Sequence, residues 1–565
     1  MSTVSSGRSR LLRTFAALSP RSSTPASIRA LAPFLDGDPE ALAAAADGTG
    51  IAVGLCLGAI AIGLGRPSLL VAAAGLGSGA AVLARGGILA VASARRSRTL
   101  GTAPTVVSRA VLRMRIAPAA EEAAAFAAET EGRLGGRLAD HVGRARGTPL
   151  SGLGAFAEAW RGRFPALYRS LTLVEAAADA PAAERDRTLD RAMRTILDGT
   201  RDRATEAADS LRGPSTAMYA FGVLLPLALV SVLPAAGAAG VEATLPAIVA
   251  IYDLALPAGL LCGSGWLLAN RPVAFPPAPI DAEVATHPAI YLGAGAGAGL
   301  AGGLTARTFL PRWTVPLTVV GFAVGVALFV RYHPVVAVRK RADTLESALS
   351  DALYLVGRRV SDGIAVEQAV ADAAGELDGI AGDTFRAAAR RQRQLRVGVE
   401  VAFVGEHGAL DGLPSQRAES MARLLGMAAG TGAPAGRALV ETADHLDELG
   451  RVERDARQDL ARVTSTLSNT AAFFGPLVGG ATVALADSVG TTDALNGSAP
   501  ETAGLGIAVG VYVLLMAAVL TGLSTGLQRG LDRATVGYRV GIALCTATAT
   551  YLLAVFVTSG VSGGL

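Results

Sequence analysis

Ten side chains in this sequence have the type and spacing for a chemical role. Arg386, Arg390, Arg391, Arg393 and Arg396 crowd one basic stretch. Arg133 and Arg137, followed by Arg144 and Arg146, occupy the comparable part of an earlier stretch. At helical spacing such a row puts guanidiniums on one face. That face is solvated, or meets an acidic protein surface, or meets anionic lipid headgroups. Asp253 lies near the centre of an apolar run, between Pro246 and Pro257. A carboxylate inside a bilayer is costly unless paired or wetted. It is either a polar contact or pivot within the membrane, or the partner of a neighbour such as Tyr252 or of backbone freed near Pro257.

Other chemistry is missing. No G-x-x-x-x-G-K-[ST] occurs, and Lys340, the only lysine, follows Val338-Arg339, so nucleotide phosphates have no Walker-type cradle. Gly522-Leu523-Ser524-Thr525-Gly526 satisfies G-x-S-x-G, but it ends an apolar segment with no histidine after it, where a nucleophile elbow needs a strand–turn–helix setting. Gly560-Val561-Ser562-Gly563-Gly564 fares no better. Cys56, Cys262 and Cys545 each fall within apolar runs, unpaired at close spacing, and the five histidines are scattered. No catalytic residue, metal or cofactor is expected, and the chain reads as a protein that is not an enzyme.

The elements that must hold these residues are apolar helices. Hydrophobic residues make up 51% of the 565 positions, mean hydropathy is +0.43, and aromatics are only 5%. Small-residue helices packed closely in lipid have this composition. The net charge of +4 is spread, with acids nearly matching arginines, which speaks against a nucleic-acid partner. About nine segments approach the ~17–25 residues of a membrane helix. They are Thr49–Gly65, Leu69–Ala92, Thr216–Ala236, Leu245–Leu268, Ala289–Ala306, Val315–Val330, Asn469–Leu485, Ala503–Leu527 and Val540–Val557. Only Arg66-Pro67-Ser68 separates the first two, which either each span, fuse or are re-entrant. The first ~48 residues are polar and arginine-bearing, unlike a cleavable signal peptide.

Arginine placement sets the orientation. With the N-terminus cytoplasmic, the inside receives Arg95, Arg96, Arg98, Arg212, Arg271, Arg331, Arg339, Lys340, Arg341, Arg462, Arg529, Arg533 and Arg539, while the outside receives Arg66, Arg307 and Arg312. The C-terminus is then exterior. Glycine steps such as Gly293, Gly295, Gly297, Gly299 and Gly303, Gly321 with Gly325, and Gly506 with Gly510 let helices approach closely, within one chain or across a homodimer seam.

Between these segments lie two polar blocks, about Arg95–Pro214 and Arg331–Ser468, both with helical periodicity and both cytoplasmic in this orientation. In the second, Leu446, Leu449, Ala456, Leu460, Val463 and Leu467 step toward the membrane, and Glu453 with Arg457 forms an i,i+4 pair on the expected exposed face. The first repeats this start with Met193, Ile196 and the pair Asp190 with Arg194. The blocks echo one another. Leu171, Leu173, Val174, Ala180-Pro181 and Phe221-Gly222 recur as Leu424, Gly426, Met427, Ala433-Pro434 and Phe474-Gly475, at an offset of 253. Gly363-Ile364-Ala365 echoes Arg115-Ile116-Ala117 at an offset of 248. Repetition at this scale decides the architecture.

Duplicated helical hairpins, each feeding a membrane helix that contains Phe-Gly, resemble the type II secretion F-domain family. The likeness is to its archaeal version, the membrane assembly platform of type IV pili and the archaellum. Arg115, where the second copy has Gly363, is the departure. The resemblance implies an all-α polytopic fold with a cytoplasmic tail over 1–48, a membrane hairpin over 49–94, a first F-domain repeat over 95–236, membrane helices over 237–330, a second repeat over 331–487 and C-terminal membrane helices over 488–565. It further implies a non-enzymatic platform in the cell membrane that works with a hexameric secretion ATPase, pilin or archaellin subunits and membrane lipids. The rival reading is a repeat-built secondary transporter, which would concentrate ionisable residues and broken helices at mid-membrane.

Overall fold

The computed structural model describes residues 38–63, 99–130, 132–147, 151–238, 244–269, 287–431, 433–490 and 502–562, with short stretches between 28 and 35 and between 81 and 96. The described residues are all helical or in connecting turns. Seven helices are long and apolar enough to cross a membrane. They coincide with the last seven of the nine segments read from the sequence. Of the two N-terminal segments, the first begins within α1 (Pro39–Gly63), which is not among the seven, and the second lies largely outside the described residues. Arg85 pairs with Asp47 of α1.

Each polar block is a run of six helices in the same order. The first comprises α2 (Ala103–Ile116), α3 (Ala120–Ala128), α4 (Arg133–Ala145), α5 (Gly152–Glu158), α6 (Pro165–Ala176) and the long α7 (Ala182–Tyr219). After α7 come a π turn (Ala220–Leu224) and α8 (Leu225–Ala238), then α9 (Leu245–Val249), a second π turn (Ala250–Ala255) and α10 (Leu256–Ala269). A hairpin of α11 (Pro288–Phe309) and α12 (Thr314–Ser347) leads into the second block. That block is α13 (Leu349–Ser361), α14 (Val366–Glu376), α15 (Gly379–Leu395), α16 (Val399–Val404), α17 (Gln416–Thr431) and the long α18 (Ala433–Asn469). A third π turn (Thr470–Phe474), α19 (Gly475–Gly490), α20 (Thr502–Arg529) and α21 (Arg533–Ser562) complete the chain.

One backbone constraint shows how deep the duplication goes. In the first turn of α4 a Cβ at Gly135 would overlap the carbonyl oxygen of Thr130; in the first turn of α15 a Cβ at Gly382 would overlap that of Leu377. Both helices fold tightly back on the preceding turn at the same place, and only glycine permits it. The register of the long helices is less regular than the sequence suggests. α7 and α18 end 250 positions apart, at Tyr219 and Asn469, whereas the Phe-Gly pairs stand 253 apart. Three residues are close to one helical turn of about 3.6, so that slip keeps the anchors on nearly the same face.

Arg115 replaces the glycine of the second block because the first needs none there. Gly363 ends α13 with φ +88°, while Ala117 after α2 is extended at φ −138°. Each block has its own apolar core: Phe156, Trp160 and Phe164 are buried in the first, Phe385 and Phe403 meet edge to face at 5.1 Å in the second. The cores interlock, since Leu449 of α18 packs into the first and Leu112 of α2 into the second. The blocks are therefore docked on one another, at one end of the apolar bundle.

Within that bundle the glycine steps are used by the chain itself. Gly295, Gly299 and Gly303 of α11 lie against Val319, Ala323 and Ala327 of α12. Gly321 and Gly325 of α12 lie against Thr548 and Cys545 of α21, and Gly506 and Gly510 of α20 against Trp313 and Leu317. Gly293 and Gly297 face open space.

Candidate functional site

The blocks meet along α7 and α18, with α2 beside them, and the meeting surface is charged. Arg115, at the end of α2, has a side chain only 5% exposed and pairs with Asp190 of its own block and Glu441 of the other. Arg201 pairs with Asp455 at 3.3 Å across the same interface. Arg109, one and a half turns before Arg115, is held on several sides. Its Nε donates to the Phe126 carbonyl at 3.0 Å, its guanidinium lies 4.2 Å over the Phe126 ring, and Nη2 reaches Glu129 at 2.9 Å. Nη1 donates to Ser420 Oγ of the second block at 3.4 Å, and Arg423 approaches the same Glu129 at 3.6 Å. Burial, with Arg423 nearby, pulls the Arg109 guanidinium below its ordinary range, against the pull of Glu129.

Arg109, Glu129, Ser420 and Arg423 wall a cavity of about 240 Å³ between the blocks, to which Glu453 and Arg529 also contribute. Glu453 corrects the sequence reading. It is buried, not on an exposed face, and its main partner is Arg417, with Arg457 further off at 3.7 Å. Burial disfavours charge on Arg417, yet Glu453 and Glu346 outweigh it and hold this guanidinium above its usual value. The intended partner of Asp190 is likewise displaced: its carboxylate is taken by Arg115, and Arg194 donates only to its backbone carbonyl, at 3.4 Å. His445 lies in the same seam. Burial, reinforced by Arg115, pushes its imidazole down to about 4 despite Asp190 and Asp444.

Toward the apolar layer, Arg339 of α12 pairs with Asp532 and donates to Thr535 at 3.1 Å, and Asp532 caps α21 by accepting from the Thr535 amide at 2.8 Å. A buried ion pair thus ties the helix entering the second block to the last hairpin.

The sequence-derived candidates are dispersed. Arg390, Arg393 and Arg396 are exposed along the outer edge and end of α15, Arg391 is half-buried, and none of the four has an ion pair among the described residues. Arg386 is taken by Asp383 at 2.6 Å and the Ala374 carbonyl at 3.2 Å. Arg133 and Arg137 turn toward the N-terminal stretch: Arg133 donates to the Phe34 carbonyl at 3.3 Å and Arg137 lies 5.6 Å over the Phe34 ring. Burial, with Arg163 and Arg133 beside it, lowers the Arg137 value. Asp253 sits in the second π turn, half-buried, with Oδ1 enclosed and without a hydrogen-bond partner among the described residues. Tyr252 does not serve it, because its hydroxyl donates to the Pro226 carbonyl at 2.7 Å. Ser524 of the G-x-S-x-G motif is buried within α20, where Gln528 reaches it at 3.4 Å, so no elbow exists. Among the described residues no three His, Cys, Asp or Glu side chains gather as a metal would require.

Sequence reasoning passed over Glu441, Arg109, Ser420 and Arg417 entirely. Each gains its partner from a distant part of the chain, and no local pattern marks it.

Fold and site together define an all-helical, multi-pass membrane protein with two docked polar blocks. Comparison with protein-family models, curated proteins and solved structures finds no match.

Proposed function

We propose that the protein is a non-enzymatic membrane platform for assembly of a type IV pilus-like filament or archaellum, coupling a cytoplasmic secretion ATPase to the insertion and extraction of pilin subunits. The observation that supports this reading is mechanical. Two like six-helix blocks are clamped together, and each leads through one long helix, α7 or α18, and a π turn into an apolar helix. A push on either block is carried along a rigid rod to the membrane. The positive-inside placement of the arginines supports a cytoplasmic position for both blocks.

In this reading the ATPase contact is the arginine row of α15 formed by Arg390, Arg391, Arg393 and Arg396, which have no ion pair among the described residues. That helix packs beside α12 in a core containing Leu345, which lies 14 residues past Arg331, up to about 21 Å of helix from the apolar layer. Headgroup charge is screened over about 10 Å, so an acidic protein face suits these arginines better than lipid does. Changing Arg390, Arg391 and Arg393 together to Glu should abolish capture of the hexameric ATPase and filament assembly while insertion persists. Normal filaments in that variant would remove the contact. The transporter reading draws instead on the unpartnered Oδ1 of Asp253. It requires that Asp253→Asn, and not the arginine reversal, remove the protein's cellular phenotype.

A further inference from the structure

The cavity between the blocks lies where they meet the apolar bundle. Its walls come from α2, α17 and α18 of the blocks, from α12, and from the last hairpin, with Arg529 ending α20 and Thr535 in the first turn of α21. Most of the charge on these walls is neutralised within the chain. Arg109 and Arg423 share Glu129, Arg417 takes both Glu346 and Glu453, and Arg339 is held by Asp532. At the membrane end the pairing fails. Arg529 is exposed and has no ion pair or hydrogen bond among the described residues, and Arg457 comes no closer than 3.7 Å to Glu453, which Arg417 already holds. Arg539 of α21, exposed and also without an ion pair among the described residues, acts on Arg529 as a further like charge, and Asp343 opposes them. Three guanidiniums against that carboxylate leave this end of the cavity cationic. Arg529 is the last residue of an apolar helix long enough to cross a bilayer, so the cationic end stands at head-group depth, which the α15 row does not reach.

Elsewhere the wall is hydroxylated. Thr130 lines the cavity, is 7% exposed, and its Oγ1 has no hydrogen-bond partner among the described residues. Thr105 and Ser108, on the turn of α2 before Arg109, line it too and make no hydrogen bond through their hydroxyls among those residues. Buried hydroxyls are as a rule bonded, so these are positions for a ligand's own polar groups. Glu419, without an ion pair among the described residues, adds an acceptor to the same wall. Hydroxyls with one spare acceptor suit a polyol. A second anionic group would meet Glu419, and an ammonium would meet Arg109 and Arg423. A cavity of about 240 Å³ holds a phosphate and a small polyol and leaves acyl chains outside, where Leu531 is exposed in the turn between α20 and α21.

We propose that this cavity binds the head group of an anionic, hydroxyl-bearing phospholipid such as phosphatidylglycerol, its phosphate on Arg457 and Arg529 and its hydroxyls toward Thr105, Ser108 and Thr130. The site goes beyond the platform reading and does not depend on it. The test is lipid retention by the full-length protein in detergent, read by native mass spectrometry. Wild type should retain phosphatidylglycerol in preference to phosphatidylethanolamine and phosphatidylcholine. Arg529→Gln and, separately, Arg457→Gln should each weaken that retention about tenfold, the worth of one charge-assisted hydrogen bond, and Thr130→Val about two- to tenfold. Arg390→Gln combined with Arg393→Gln removes more charge from outside the cavity and should change nothing. Glycerol phosphate at the same concentration should not displace the lipid, whose chains add apolar burial. Equal retention of the three lipids in wild type overturns the proposal even if no cavity variant can be produced. So does an equal loss in the Arg390 and Arg393 variant, which would mean attraction to net charge alone. Displacement by glycerol phosphate assigns the site to a soluble phosphate and overturns the lipid assignment.

Discussion

Acidification should loosen the grip between the two blocks, and His445 should be the cause. Its imidazole lies in the seam beside Arg115, Asp190 and Asp444, with a value depressed from 6.5 to about 4 by burial and by Arg115. A depressed histidine is neutral when docked and binds a proton more readily once exposed. Between about pH 6.5 and pH 4 the unfolded state therefore holds more protons than the native one, and stability falls as pH is lowered through that window. At pH 7 the effect is near zero; at pH 5 the linkage relation gives a loss of about 2 kcal/mol. For blocks of this size that is roughly a 4–8 °C drop in unfolding temperature. Intrinsic tryptophan fluorescence of the detergent-solubilised protein would follow it, because Trp160 is buried in the first block's core. Other carboxylates titrate over the same range, so the deciding quantity is a difference between variants. His445→Gln should remove most of the drop between pH 7 and pH 5. Arg115→Met should shrink it, by relieving the repulsion that keeps the imidazole neutral. A drop of equal size in wild type and His445→Gln would refute the reasoning.

Two further outcomes follow from the packing. Gly382→Ala should destabilise the second block by about 2–4 kcal/mol, since its Cβ has no space beside the Leu377 carbonyl, and Gly375→Ala, open on all sides, should be neutral or stabilising; urea titration compares them. Asp532→Ala should cost about 3 kcal/mol by removing the cap of α21 and stranding the buried Arg339. Asp532→Asn should cost less by keeping part of the cap, and Arg339→Met combined with Asp532→Asn should recover part of the loss in thermal unfolding, the coupling a double-mutant cycle reads.

The register of the repeats shows how far local pattern reaches. Leu171, Leu173 and Val174 with Leu424, Gly426 and Met427 betray a duplication, because apolar spacing along a helix belongs to contiguous residues. The three-residue slip between the Phe-Gly pairs and the ends of the long helices was hidden, since a shift of nearly one turn preserves the face on which those residues lie. The basic row of α15 could be read as arginines on a helix. That Arg386 is spent on Asp383 while Arg390, Arg393 and Arg396 have no ion pair among the described residues could not.

Composition and hydropathy alone determined that the chain is helical, that about nine of its segments suit a bilayer, seven of which are long apolar helices among the described residues, and that two polar helical blocks stand between them, for these are properties of neighbours in sequence. Tertiary structure alone decided that Arg115 joins Asp190 to Glu441, that Glu453 is buried on Arg417, and that Tyr512, across 290 residues of chain, donates to the Gly222 carbonyl, whose usual helical donor is missing at Pro226. The physical reason is that a buried charge or an orphaned carbonyl takes whichever partner the fold brings within reach.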